Sequence, residues 1–71
     1  MTLLEYEDRL VAVNAKANNA VVWQADGKVW AETSAEFAGK AWAEGKELTA
    51  EQAKDRFPEA DLDAIPAIPA G

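Results

Sequence analysis

The chain contains neither cysteine nor histidine. Without cysteine, no disulfide can stabilise the fold, and thiol nucleophiles and thiolate metal ligands are excluded. Without histidine, the usual base of nucleophilic triads is missing, as is the commonest nitrogen ligand of zinc. Carboxylates are the main reactive groups that remain, so we expect no enzyme activity, no metal site and no cofactor.

Basic residues and long apolar runs are also scarce. No uninterrupted apolar run exceeds four residues, against the roughly 18 that a membrane-spanning helix needs. Seven basic residues stand against 13 acidic ones, for a net charge of −6. Because phosphate backbones and anionic membranes attract basic clusters, we expect no direct binding to nucleic acid or membranes.

The N-terminal stretch MTLLEYEDRL carries acids where a signal peptide carries bases. We therefore expect a cytoplasmic protein, or one of the host cytoplasm or virion if a phage encodes it.

A chain of 71 residues forms one small domain, for which a net stability of roughly 3–5 kcal/mol is expected. Alanine is the commonest residue, at 16 positions, and buries little area per residue. The few larger apolar side chains must therefore form the core, and we expect the aromatic ones to meet in one cluster.

Capping boxes, in which Ser or Thr is followed three residues later by Glu or Gln, indicate helix starts. The chain has three at plausible positions: Thr2 with Glu5, Thr33 with Glu36, and Thr49 with Gln52. The first predicts a helix from Leu3 to about Ala17, ended by Asn18-Asn19. A strand over residues 10–15 is the alternative, because Val11 and Val13 are two positions apart, as on one face of a strand.

The stretch AVVWQADGKVWAE, residues 20–32, predicts a β-hairpin. Asp26-Gly27 is a strong signal for a two-residue type I′ turn, in which both central residues need positive φ. The resulting register places Trp23 directly opposite Trp30. A two-stranded hairpin is marginal alone, so the tryptophan face is expected to pack on helices.

Two short helices are predicted next. Thr33 is expected to cap a helix from Ser34 to about Glu44, which Gly45 ends. Thr49 is expected to cap another, which Pro58 stops. The inward residues of this last helix should be Ala50, Ala53 and Phe57.

Two similar phrases, GKVWAE at residues 27–32 and GKAWAE at 39–44, differ at one position. Their flanks do not extend the match, so they are not a structural repeat. We expect the first to form a strand and the second a helix. The fold predicted is a small α+β domain over residues 1–63, in the order helix, hairpin, helix, helix, with an extended tail over 64–71.

The tail repeats Ala-Ile-Pro. Polyproline II has three residues per turn, so the two isoleucines would share one side and the two prolines another. The tail can pack on its own domain, stay flexible or bind a partner's groove. Candidate partner-binding residues are Ile65, Pro66, Ile68 and Pro69, together with Trp42, which the end of its helix should leave partly exposed.

Acidic residues recur towards the C-terminus. We call six of them the acidic ridge: Glu47, Glu51, Asp55, Glu59, Asp61 and Asp63. The first three are four residues apart, as on one helix face. Such a surface can imitate a phosphate backbone. The ordinary alternative is a solvated helix face, with Lys54 and Arg56 beside Glu51 and Asp55.

Small size, acidic composition and the lack of reactive residues favour a non-enzymatic protein–protein interaction function. We expect an accessory or assembly subunit, of the phage- or plasmid-encoded kind, that docks on a larger protein. The alternative is an inhibitor that uses the acidic ridge to occupy a nucleic-acid-binding protein or complex.

Overall fold

The computed structural model describes residues 1–68. These residues form an α+β domain, in agreement with the predicted class. The elements in chain order are β1 (Thr2–Tyr6), β2 (Arg9–Val13), β3 (Ala20–Gln24), β4 (Val29–Glu32), α1 (Ala35–Glu44), β5 (Lys46–Leu48) and α2 (Ala50–Arg56). A single 3-10 turn, Leu62–Ala64, follows α2.

The strands make one antiparallel sheet in the order β4-β3-β2-β1-β5. The first four strands form a meander, and α1 returns the chain so that β5 pairs with β1. Helix α1 packs over β1, β2 and β3 on one face. Helix α2 and the segment after it cover the other face.

The predicted N-terminal helix is wrong, because β1 and β2 form a hairpin in which Leu4 pairs with Val11. Thr2 lies in β1 and caps nothing. The strand alternative for the region from residue 10 is correct. The spacing of apolar residues in this region fits both the helical and the strand period. As strands, however, they form a sheet whose two faces are both covered by helices.

The turn of this first hairpin consists of Glu7 and Asp8, with φ values of 52° and 62°. Both residues have the left-handed backbone conformation that a type I′ turn requires. The left-handed conformation costs more at Glu7 than at Asp8, because the short polar side chain of aspartate tolerates it better.

Replacing Glu7 by asparagine and Asp8 by glycine is expected to raise the free energy of unfolding by about 1 kcal/mol, because it relieves this cost. Asp26→Asn is the control and should change little, since Asp26 is not left-handed. Urea unfolding followed by circular dichroism measures both. An equal gain in the two variants would contradict the turn assignment.

The predicted register of the second hairpin is confirmed, since Trp23 pairs with Trp30 and Gln24 with Val29. The two indole rings lie 5.5 Å apart in an edge-on arrangement. The predicted type I′ turn is wrong. The loop spans four residues, 25–28, and its left-handed residue is Lys28, with φ of 52°. Four-residue hairpin loops reverse the chain without positive φ at the Asp-Gly pair.

The predicted start of α1 is one residue early. Ser34 is the N-cap, and its hydroxyl accepts from the Phe37 N–H at 3.1 Å. The Thr33 hydroxyl instead donates to the Ala20 carbonyl, because Thr33 continues the line of β4. The end at Gly45 is confirmed.

The capping box of α2 is confirmed. The Thr49 hydroxyl accepts from the Gln52 N–H at 3.1 Å, and the Gln52 amide oxygen accepts from the Thr49 N–H at 2.9 Å. Ala53 is buried and Phe57 is half-buried, as predicted, but Ala50 is exposed. The two similar phrases also fold as expected, one ending in β4 and the other in α1.

The aromatic side chains do not meet in one cluster, because the sheet separates them. On the α1 face, Tyr6 and Phe37 pack edge-on at 5.6 Å against the first core cluster. Its buried members are Leu4, Val11, Val13, Ala20, Val22, Ala38 and Ala41. On the other face lie the buried residues Leu10, Trp23, Leu48 and Ala53, with Trp30 and Phe57 beside them.

Candidate binding surface at the C-terminal segment

The segment after α2 packs on the second face of the sheet. Ala60 and Leu62 lie against the cluster around Trp23. The indole N–H of Trp30 donates to the Asp61 carbonyl at 2.9 Å, across 31 positions of sequence. The Asp61 carboxylate in turn accepts from the Asp63 N–H at 3.1 Å and starts the 3-10 turn. These contacts fix where the following tail residues lie.

The tail residues line a concave surface of about 480 Å³. Ile65 and Ile68 are half-buried in it, and Pro66 is exposed. Met1 stands on the same surface with 67% of its area exposed. The structure therefore brings three of the predicted partner-binding residues together with a fourth apolar side chain. Pro69 lies outside the described residues.

The opposite wall of this surface is the loop between β2 and β3, at residues 14–16. Asn14 is buried and organises the loop. Its side-chain oxygen accepts from the N–H groups of Asn18 and Asn19 at 3.0 and 3.2 Å, and its amide donates to the Asn18 side chain at 2.7 Å. Ala17 is left-handed, with φ of 57°.

Sequence reasoning missed both Met1 and Asn14 as parts of this surface. The cluster of three asparagines at positions 14, 18 and 19 was the available signal, because asparagine side chains commonly bond the backbone of tight loops. The predicted helix instead assigned Asn18-Asn19 to a helix end.

Trp42 lies on α1, on the opposite side of the sheet, and is 48% exposed. Its predicted exposure is confirmed. Trp42 does not line the concavity that holds Ile65, Pro66 and Ile68, so the structure does not bring it together with the tail residues.

All six residues of the acidic ridge are exposed. Glu47 lies in β5, so the predicted helical row is limited to Glu51 and Asp55 on α2. Arg56 does not neutralise them, because its guanidinium bonds the Glu5 carboxylate at 2.6 Å. Within residues 1–68, no ridge carboxylate forms an ion pair.

A second concavity of about 400 Å³ lies at the turn end of the sheet. Trp23 and Phe57 form its apolar wall, and Asp8, Arg9 and Asp26 its charged rim. Among residues 1–68, no group of three or more acidic side chains is arranged to hold a metal ion.

The Tyr6 hydroxyl lies beside two carboxylates at the end of β1. Burial raises the pKa of its hydroxyl, and the Glu44 and Glu7 carboxylates raise it further. The side chain is therefore uncharged at neutral pH, and it packs on Phe37.

No helix in the described part of the chain combines the length and apolar character needed to cross a bilayer. Comparison with protein-family models, with curated proteins and with solved structures found no match.

Proposed function

We propose that this protein is a non-enzymatic binding protein, an accessory or assembly subunit that docks on a larger protein through its C-terminal surface. The observation that carries the proposal is the grouping of Met1, Ile65, Pro66 and Ile68 around one concavity. Exposed apolar groups that are gathered in one place are typical of interaction sites, whereas scattered ones are ordinary.

The position of the surface adds support. The segment that carries the isoleucines is anchored by the Trp30–Asp61 hydrogen bond and by Leu62. A partner that binds here meets a chain that is already ordered, so little conformational entropy is lost on binding. Burying an isoleucine side chain fully contributes roughly 1.5–3 kcal/mol.

The test is quantitative affinity capture with the full chain, followed by titration of the purified partner. Ile65→Asp and Ile68→Asp are each expected to weaken binding at least about tenfold, since a charge would replace buried apolar area. Trp42→Ser is the control, because Trp42 lies on the other side of the sheet, and it should leave binding unchanged. Circular dichroism verifies that the variants fold. Binding that depends on Trp42 and not on the isoleucines would refute the proposed surface.

The second candidate function is inhibition of a nucleic-acid-binding protein by the acidic ridge. It is favoured by the exposure of all six carboxylates and by the ion pair of Arg56 with Glu5, which lies outside the ridge. In this case, binding should weaken steeply with salt, because exposed charges are screened beyond about 8 Å at physiological ionic strength. The triple variant Glu51→Gln, Asp55→Asn, Glu59→Gln should then abolish binding, and the isoleucine variants should not.

A further inference from the structure

Strand β4 is an open edge of the sheet. It pairs with β3 on one side, and no strand of residues 1–68 lies on its other side. The opposite edge, β5, is only three residues long. Strand β4 has four residues and Thr33 continues its ladder, so it offers more backbone to an added strand than β5 does.

The backbone groups on the open side of β4 can be assigned from one hydrogen bond. The Thr33 N–H donates to the carbonyl of Ala20, directly opposite, at 3.2 Å. In an antiparallel ladder, bonded and non-bonded pairs alternate. The backbone of Ala31 therefore bonds β3, and the N–H and C=O groups of Trp30 and Glu32 point outward.

The side chains near this edge are also uncovered on one face. Helix α1 packs over β1, β2 and β3, and its main contacts do not include β4. Val29 is 51% exposed on that face, and Ala31, on the same side of the strand, is half-buried. The edge contains no proline, which commonly blocks such pairing.

We propose that two copies of the chain associate through β4, in antiparallel register about a two-fold axis at Trp30. The two five-stranded sheets then become one continuous sheet. The outward N–H and C=O of Trp30 in each copy bond those of Trp30 in the other. This association uses the backbone edge of β4 and does not rest on the proposed function, although Ile68 lines a small cavity together with Glu32 and Thr33 at the end of β4.

The charges near the edge select this register. It brings Lys28, the last residue of the loop before β4, next to Glu32 of the second copy, and the symmetry repeats the pair. On the other face it places the exposed Val29 opposite Ala31 of the second copy. Opposite charges and apolar residues that face each other across strands stabilise the pairing.

The neighbouring symmetric register, centred on Ala31, also uses the outward backbone groups. However, it sets Lys28 opposite Ser34 and Glu32 opposite Trp30, so neither charge has an opposite-charged partner. Of these two registers, only the one centred on Trp30 pairs opposite charges.

Pairing through one short strand buries less area than the roughly 1,200–2,000 Å² of a standard interface, so the dimer should be weak. We expect a dissociation constant in the micromolar range and a mass that rises towards twice 7.7 kDa with concentration. Sedimentation equilibrium of the full chain, from about 10 µM to about 1 mM in low salt, measures it.

A charge exchange tests the register. Lys28→Glu and Glu32→Lys each place like charges opposite one another, and each should raise the dissociation constant at least about tenfold. They change the net charge in opposite directions, so a general charge effect cannot explain weakening in both. The double variant Lys28→Glu/Glu32→Lys restores the pairs and should return the dissociation constant to within about threefold of the original. Glu44→Lys, in the last turn of α1, matches the charge change of Glu32→Lys and should not weaken the dimer.

A mass of 7.7 kDa at every concentration would overturn the proposal. So would a dimer that survives both single variants, or one that the double variant fails to restore. Circular dichroism of each variant ensures that a lost dimer is not an unfolded monomer. In a supporting result, the amide signals that shift with concentration in NMR spectra belong to β4.

Discussion

Replacing Leu10 by alanine is expected to lower the free energy of unfolding by about 2–5 kcal/mol. The Leu10 side chain has no exposed surface and packs in the cluster that contains Trp23 and Leu48. The truncation leaves a cavity between the sheet and α2. Because a domain of 71 residues is expected to be stable by only roughly 3–5 kcal/mol, much of the variant should be unfolded at room temperature.

Urea unfolding, followed by circular dichroism and tryptophan fluorescence, measures this change. Leu10→Met nearly conserves volume and should cost less than about 1.5 kcal/mol. Leu3→Ala removes the same atoms from a half-buried position on β1 and should cost less than Leu10→Ala. A loss below about 1 kcal/mol for Leu10→Ala would show that the second face does not hold a packed core.

Replacing Gly45 by alanine is expected to destabilise the fold by about 1–3 kcal/mol. Gly45 ends α1, and its N–H donates to the Ala41 carbonyl at 2.8 Å. A Cβ at this position would overlap the Ala41 carbonyl oxygen and lie 3.1 Å from the carbonyl oxygen of Glu5 in β1. Both oxygens belong to backbone held in regular elements, so neither can yield without loss of hydrogen bonds.

Gly39 supplies the matched control, because replacing it by alanine should change the free energy of unfolding in the opposite direction. It lies within α1, and no atom comes within 4 Å of an added Cβ. Gly39→Ala should therefore raise the free energy of unfolding by about 0.5–1 kcal/mol, as alanine favours helix over glycine. Thermal unfolding of the two variants under one condition compares them. A shift of the same sign in both would contradict the assigned role of Gly45.

Features that depend on a few neighbouring residues could be predicted from the sequence. The capping box of α2 needs only Thr49 and Gln52, three positions apart, and it forms as predicted. The pairing of Trp23 with Trp30 follows from a loop centred on Asp26-Gly27. Moving from a two-residue to a four-residue loop about the same centre keeps the register, so the error in turn type did not affect it.

The N-terminal region could not be predicted with the same reasoning. Leu3, Tyr6, Leu10 and Val13 satisfy a helical period, but alternation is present as well. The choice between helix and strand depends on distant strands. Strand β5, more than 30 residues away, pairs with β1, and β3 pairs with β2. Tertiary context of this kind overrides local propensity.

The candidate surface shows the same division. Ile65, Pro66 and Ile68 were identified from the triplet pattern alone. Their neighbours were not, because the bond from Trp30 to Asp61 joins residues 31 positions apart. The separation of Trp42 from the tail likewise required knowledge of which face of the sheet each element covers.

By itself, the sequence determined the absence of cysteine and histidine, the α+β class, the register of the second hairpin and the capping box of α2. These follow from composition or from hydrogen bonds between close neighbours. Only the tertiary structure decided that residues 2–13 form two strands, that the core divides into two clusters and where the tail lies. The physical reason is that long-range strand pairing offsets its cost in chain entropy only when both faces of the sheet are buried together, which no local pattern can specify.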